Sequence, residues 1–127
     1  PLILAGKSMG ARVVTMLCAG IAGEVPAAVK AVCCYGYPFH PPKKDSWRTG
    51  HFDTLRRPVL VMQGERDPFG TAAELCSLSW PEVEVNWLRS ADHDFKPLKS
   101  SGLTQQQLLQ QAAERTGRFI DDVILET

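Results

Sequence analysis

Pro1-Leu2-Ile3-Leu4-Ala5-Gly6-Lys7-Ser8-Met9-Gly10-Ala11-Arg12 opens with an apolar run, Leu2 to Ala5, and passes through Gly-x-Ser-x-Gly into a stretch of helical character, Ala11 to Ala22. A serine between an apolar strand and a helix carries meaning because of that context. A chain that turns sharply there holds the turning residue in a strained backbone conformation, and its neighbours must be small. Gly6 and Gly10 are read as supplying the room. The turn lifts the Ser8 hydroxyl clear of the sheet and sets it at a helix N-terminus, where the N–H of Met9 can stabilise an oxyanion. Two other readings compete. One is a glycine-rich turn with an inert serine. The other is the end of a phosphate-binding loop, Gly-x-x-x-x-Gly-Lys-Ser, but that motif needs glycine where Pro1 stands, and strand residues fill its loop. The phosphate-loop reading is rejected.

Further along, Val29 to Tyr35 and Val59 to Gln63 are continuous apolar runs, and Val83 to Leu88 alternates as a strand with one wetter face does. Thr71 to Ser79 reads as a short helix ending before Pro81. Thr104 and Gln107 have capping-box spacing, with Leu103 and Leu108 placed as a hydrophobic staple. From Leu108 to Ile124 apolar residues recur at mostly helical spacing, which predicts an amphipathic helix lying on something apolar. The expected fold class is therefore α/β, a parallel sheet with flanking helices, as one domain over residues 1–127. The segment Pro38 to Pro58 has no period and is expected to rise above the sheet as a functional loop.

The chain starts inside an apolar strand, without Met or leader, so truncation at the N-terminus is expected. The Leu2 to Leu4 strand would then expose an apolar edge, and self-association through it is expected. The composition excludes other classes. Lys plus Arg and Asp plus Glu number 14 each, for a formal net charge of zero, and no basic stripe points to nucleic acid. No apolar run approaches the ~20 residues that span a bilayer. Cys18, Cys33, Cys34 and Cys76 form no Cys-x-x-Cys pair and no zinc spacing. They are read as reduced core or near-core residues of an intracellular protein, which places the chain in the cytoplasm, with no metal expected.

A serine hydroxyl needs a base, and the base a carboxylate to orient it. Both follow in the order Ser, acid, His, each on a loop after a strand: Asp67 in Gln63-Gly64-Glu65-Arg66-Asp67-Pro68-Phe69, and His93 in Ala91-Asp92-His93-Asp94-Phe95. Strand ends of a parallel sheet share one edge, so the three loops should converge. Glu65 is the alternative acid, but Pro68 suggests a fixed turn aiming Asp67. Asp92 and Asp94 flank His93 and would point away from its orienting nitrogen. His40 and His51 precede the acid and fail the order; His40 is a candidate substrate contact overhanging the pocket, and His51 an anchor for the long loop. Lys7 and Arg12 are read as solvent-exposed or locally paired rather than as attractors of an anionic substrate. Phe39, Trp47 and Phe69 suit either a pocket wall or the core, with Phe69 the aromatic candidate for substrate binding.

Gly6-Lys7-Ser8-Met9-Gly10-Ala11-Arg12, Tyr35-Gly36-Tyr37-Pro38-Phe39-His40-Pro41-Pro42, Gln63-Gly64-Glu65-Arg66-Asp67-Pro68-Phe69-Gly70 and Ala91-Asp92-His93-Asp94-Phe95 together resemble one group of α/β-hydrolases. It is the dienelactone-hydrolase-like group, which includes small bacterial predicted hydrolases, testis-expressed relatives and a regulatory subunit of the NSL histone-acetyltransferase complex. The resemblance implies a Ser8, Asp67, His93 triad hydrolysing a small ester-like substrate, with no cofactor. It also implies a second oxyanion N–H from front strands that this sequence lacks. Ala11 departs from the group, where a second glycine is frequent. The chromatin-complex relative supplies the alternative, a non-catalytic hydrolase-fold module acting through protein contacts.

Overall fold

The computed structural model describes residues 1–126; of the expected domain over 1–127, Thr127 lies outside the described residues. In chain order the elements are β1 (Leu2–Lys7), α1 (Met9–Cys18), β2 (Val29–Tyr35), β3 (Val59–Gly64), α2 (Ala72–Leu75), β4 (Val83–Leu88) and α3 (Gln105–Leu125), with 3₁₀ turns at Phe52–Thr54 and Lys99–Ser101. The four strands lie in the order β1-β2-β3-β4, and every neighbouring pair is parallel. The α/β class with a parallel sheet and flanking helices is thus the observed one.

The continuous apolar strands have the cause expected of central parallel strands, because both faces of β2 and β3 are covered. Side chains alternate across a strand. Val32, Cys34, Val59 and Val61 pack on one face with Ala11 and Cys18 of α1 and with Phe39, Phe52 and Leu55 of the long loop. Ala31, Cys33, Leu60 and Met62 pack on the other with Leu108, Ala112, Phe119 and Val123 of α3. The α3 residues that are buried are those of its apolar stripe. Its first turn is closed by the capping box: Gln107 N–H donates to Thr104 Oγ1 at 3.1 Å, and Thr104 N–H donates to Gln107 Oε1 at 2.8 Å. Leu103 and Leu108 pack into the same cluster, as a staple requires.

Element ends differ from the sequence reading for local reasons. α1 stops at Cys18, short of Ala22, because Gly20 takes φ 82° and Gly23 φ 122°, conformations that leave the helix. α2 covers only Ala72–Leu75 of the stretch Thr71 to Ser79, although Thr71 and Glu74 form a capping box. Leu75 is the one buried residue of that stretch, so a longer helix would have no apolar face to hold it down. β1 and β3 each run further than expected, to Lys7 and Gly64. The cysteine reading needs one correction. Cys18, Cys33 and Cys34 are buried free thiols, but Cys76 is exposed beyond the short helix. Burial raises the Cys33 thiol to about 11 and pushes Cys34 higher still, so both stay protonated.

Candidate active site

The strands β1, β3 and β4 end at one edge of the sheet, and the loops after them carry Ser8, Asp67 and His93. Ser8 has φ 53° and ψ −118°, a positive φ that non-glycine residues rarely adopt. The surroundings fix it there. Ser8 N–H donates to the Tyr35 carbonyl at 3.1 Å, and its own carbonyl accepts from the N–H groups of Ala11 and Arg12 at 2.9 and 3.2 Å. A Cβ at Gly6 would stand 2.3 Å from the carbonyl carbon and oxygen of Gly10, backbone atoms that cannot yield. Gly6 must therefore be glycine. Gly10 is different, since a Cβ there would meet nothing within 4 Å among the described residues. Only one of the two glycines supplies the room expected of both, because the crowding runs from Gly6 toward the helix start.

Ser8 sits at the N-cap of α1 without making a side-chain cap bond, so its hydroxyl is free to point elsewhere. Its Oγ lies 2.9 Å from Nε2 of His93, a residue 85 positions away. The other ring nitrogen, Nδ1, lies 2.7 Å from Oδ2 of Asp67. Asp67 is wholly buried, and an ionised carboxylate accepts only, so Nδ1 carries the proton and Nε2 presents its lone pair to the serine. The remaining oxygen, Oδ1, accepts from Phe69 N–H at 2.8 Å. The Asp67 hydrogen bond raises the His93 pKa above its ordinary value, against the opposing effect of burial.

Gln63, which the sequence reading missed, holds this arrangement from beneath. Fully buried at the end of β3, it accepts from Tyr37 N–H at 2.8 Å through Oε1. Its Nε2 donates to Asp67 Oδ2 at 3.1 Å, and also reaches the carbonyls of Tyr37 and Gly70 at 3.1 and 3.2 Å. One amide thereby joins the acid loop to the start of the long loop. The available signal was a lone polar residue closing the apolar run Val59 to Met62.

Above Ser8 opens a cavity of about 280 Å³ lined by Ser8, Met9, Arg12, Pro38, Pro41, Arg48 and Phe69. The Phe69 ring stands on the His93 imidazole with centroids 4.6 Å apart. Met9 is the first residue of α1, so its N–H has no intrahelical acceptor.

The family model described as an alpha/beta hydrolase domain matches residues 1–121. The chain belongs to the α/β-hydrolase family. Among solved structures, it is similar to the esterase domain of a Rhodothermus marinus protein, at 23% identity and TM-score 0.51, covering 73% of this chain and 51% of that one. It is also similar to an alpha-beta serine hydrolase homologue from Coxiella burnetii, at 21% identity and TM-score 0.53, covering 87% and 45%. At such identities the likeness is one of fold. The chain spans about half the length of these relatives. No curated protein matches it.

Within this hydrolase fold the other singled-out residues find different places. His40 is not part of the cavity wall. It is buried, with Nδ1 2.8 Å from the Pro41 carbonyl and Nε2 2.9 Å from a carboxylate oxygen of Glu74. The structure therefore turns it toward α2, where a carboxylate waits, and not toward Ser8. His51 meets Thr15 Oγ1 at 2.8 Å and ties the long loop to α1. Glu65 accepts from Ser90 N–H, and Asp92 from the N–H groups of Asp94 and Lys96, so both brace loops rather than the imidazole. Phe39 is fully buried against Tyr37, Phe52 and Trp80 and belongs to the core, while Trp47 half-covers it from outside. Lys7 forms an exposed ion pair with Asp94 at 3.1 Å. Arg12 departs from the expectation set beside Lys7: it is half-buried, has no ion pair among the described residues, and lines the cavity. Among the described residues no group of three or more His, Cys, Asp or Glu side chains could hold a metal ion, and no helix is long and apolar enough to cross a membrane.

Proposed function

We propose that the protein is a serine hydrolase of small ester-like substrates, working through Ser8, His93 and Asp67. The observation that carries the reading is the unbroken line from buried Asp67 through His93 to the Ser8 hydroxyl, ending at an open cavity. The order Ser, Asp, His along the chain is that of the family's catalytic groups, and the two structural neighbours bear the names esterase and serine hydrolase. The motifs shared with the dienelactone-hydrolase-like group point to the same chemistry within a narrower branch.

In this mechanism Ser8 Oγ attacks the carbonyl carbon while its proton passes to His93 Nε2. The carbonyl oxygen takes up the negative charge and is stabilised by Met9 N–H at the positive end of α1. Asp67 keeps Nδ1 protonated and stabilises the imidazolium as it forms. Collapse breaks the ester bond, and His93 returns the proton to the departing alcohol. An acyl group is left on Ser8. A water that gives its proton to His93 then attacks the acyl carbon, releasing the acid and restoring Ser8. Phe69, Pro38 and Pro41 give the cavity an apolar wall beside the developing charge.

The test is turnover of short-chain 4-nitrophenyl esters by the wild-type chain and by Ser8→Ala and His93→Ala. Each substitution is expected to lower kcat by about 10³-fold or more, since the two groups act as a unit. Equal rates in wild type and Ser8→Ala would contradict the reading.

A further inference from the structure

The cavity over Ser8 holds two positive charges that no carboxylate among the described residues answers. Arg12 lies on α1, one turn beyond Ser8, and Arg48 on the loop between β2 and β3; both line the cavity. Among the described residues the carboxylates contact Lys7 (from Asp94), Arg115 (from Glu84) and the rings of His40 (from Glu74) and His93 (from Asp67), and none contacts a cavity arginine. Arg12 Nε is buried without a hydrogen-bond partner. Arg48 uses Nε on the Ser46 carbonyl at 3.3 Å, which leaves its terminal nitrogens without an acceptor among the described residues.

A buried guanidinium donor with nothing to bond loses its hydration without compensation, so such an arrangement is rare unless something else supplies the acceptor. The charge is felt nearby: His51, already driven toward neutrality by burial, is driven further by Arg12. The backbone of Arg12 is tied to the long loop through Thr15. Its carbonyl accepts from Thr15 Oγ1 at 2.9 Å, and Thr15 in turn meets His51 from the loop that carries Arg48. The planar fork of a guanidinium matches a carboxylate in two-point contact. The rest of the wall is Met9, Pro38, Pro41 and Phe69, which suits a short hydrocarbon spacer.

We propose that Arg12 and Arg48 form a carboxylate subsite beside Ser8, and that the preferred substrate is an ester bearing a free carboxylate a few carbons from the scissile bond. The proposal rests on the serine-hydrolase reading for its chemistry, but its binding part can be tested without turnover.

The kinetic arm compares mono(4-nitrophenyl) adipate with its methyl ester, a neutral counterpart of the same length. For wild type, kcat/KM is expected to favour the acid by about tenfold or more, the strength of a charge-assisted hydrogen-bond pair. That ratio is expected to collapse toward one in Arg12→Met and to fall in Arg48→Met, and high salt should lower it in wild type. The binding arm titrates adipate calorimetrically into Ser8→Ala at low and high salt, and into the double variant with Arg12→Met. Saturable binding that weakens with salt is expected in the first protein and its loss in the second. A wild-type preference for the methyl ester, or no adipate binding by Ser8→Ala, overturns the subsite. Arginine-dependent adipate binding by a protein that turns over neither ester would instead uphold the subsite and remove the hydrolase reading.

Discussion

Asp67 and Gln63 govern His93 through two hydrogen bonds, and both have measurable consequences. Because Asp67 raises the His93 pKa above 6.5, and the proposed base must be neutral, kcat/KM should fall as pH drops through a value above the ordinary histidine one. Asp67→Asn removes the raising partner while burial continues to oppose the charge, so the acid limb should move downward. The same substitution should lower the plateau by about 10⁴-fold, since the ring loses its orienting acceptor. A pH profile of both proteins checks the direction. The linked stability runs the other way: a raised folded pKa stabilises the fold below histidine's unfolded value, and that contribution is lost as pH rises through the folded one. Gln63→Leu strips one donor from Asp67 and leaves Tyr37 N–H buried without its acceptor. It should cost about 1–3 kcal/mol in denaturant unfolding, together with a drop in kcat larger than any change in KM. Ser8, Asp67 and His93 could be singled out from sequence because each follows a strand in a fixed order. Gln63 could not, and Arg12 reads from sequence as exposed or locally paired, because a polar residue at a strand end or helix start gives no periodic sign of how far it is buried.

At the scale of elements, period and capping carried most of the information. β2 and β4 have the bounds that their apolar patterns indicate, and α3 begins where Thr104 and Gln107 set it. The ends of α1 and α2 were less legible, since a glycine taking positive φ and the absence of a buried face are three-dimensional facts. The account of α3 makes its own prediction. Phe119 and Leu108 are buried under the sheet face built by Leu60 and Met62, so Phe119→Ala should destabilise by about 3–5 kcal/mol. Thr104→Ala, which removes only the cap, should cost about 1 kcal/mol. Denaturation midpoints of the two variants that came out equal would contradict the division of labour between packing and capping.

For the molecule as a whole, the sheet places β2 and β3 between covered faces and leaves β1 paired on one side only among the described residues. Leu2 at that edge is more than half exposed. We propose that the 127-residue chain by itself associates through β1, so its sedimentation coefficient should rise with concentration. A single value characteristic of a monomer from micromolar to millimolar would contradict it. The convergence of three loops at the opposite ends of these strands is a separate property of the parallel sheet, and the functional account depends on it. Its most direct test is intact-mass measurement after treatment with a fluorophosphonate probe, followed by mapping of the modified peptide. The account predicts one adduct per chain, on the Ser8 peptide, absent from Ser8→Ala and nearly absent from His93→Ala; an adduct of equal yield in Ser8→Ala, or none in wild type, would contradict it.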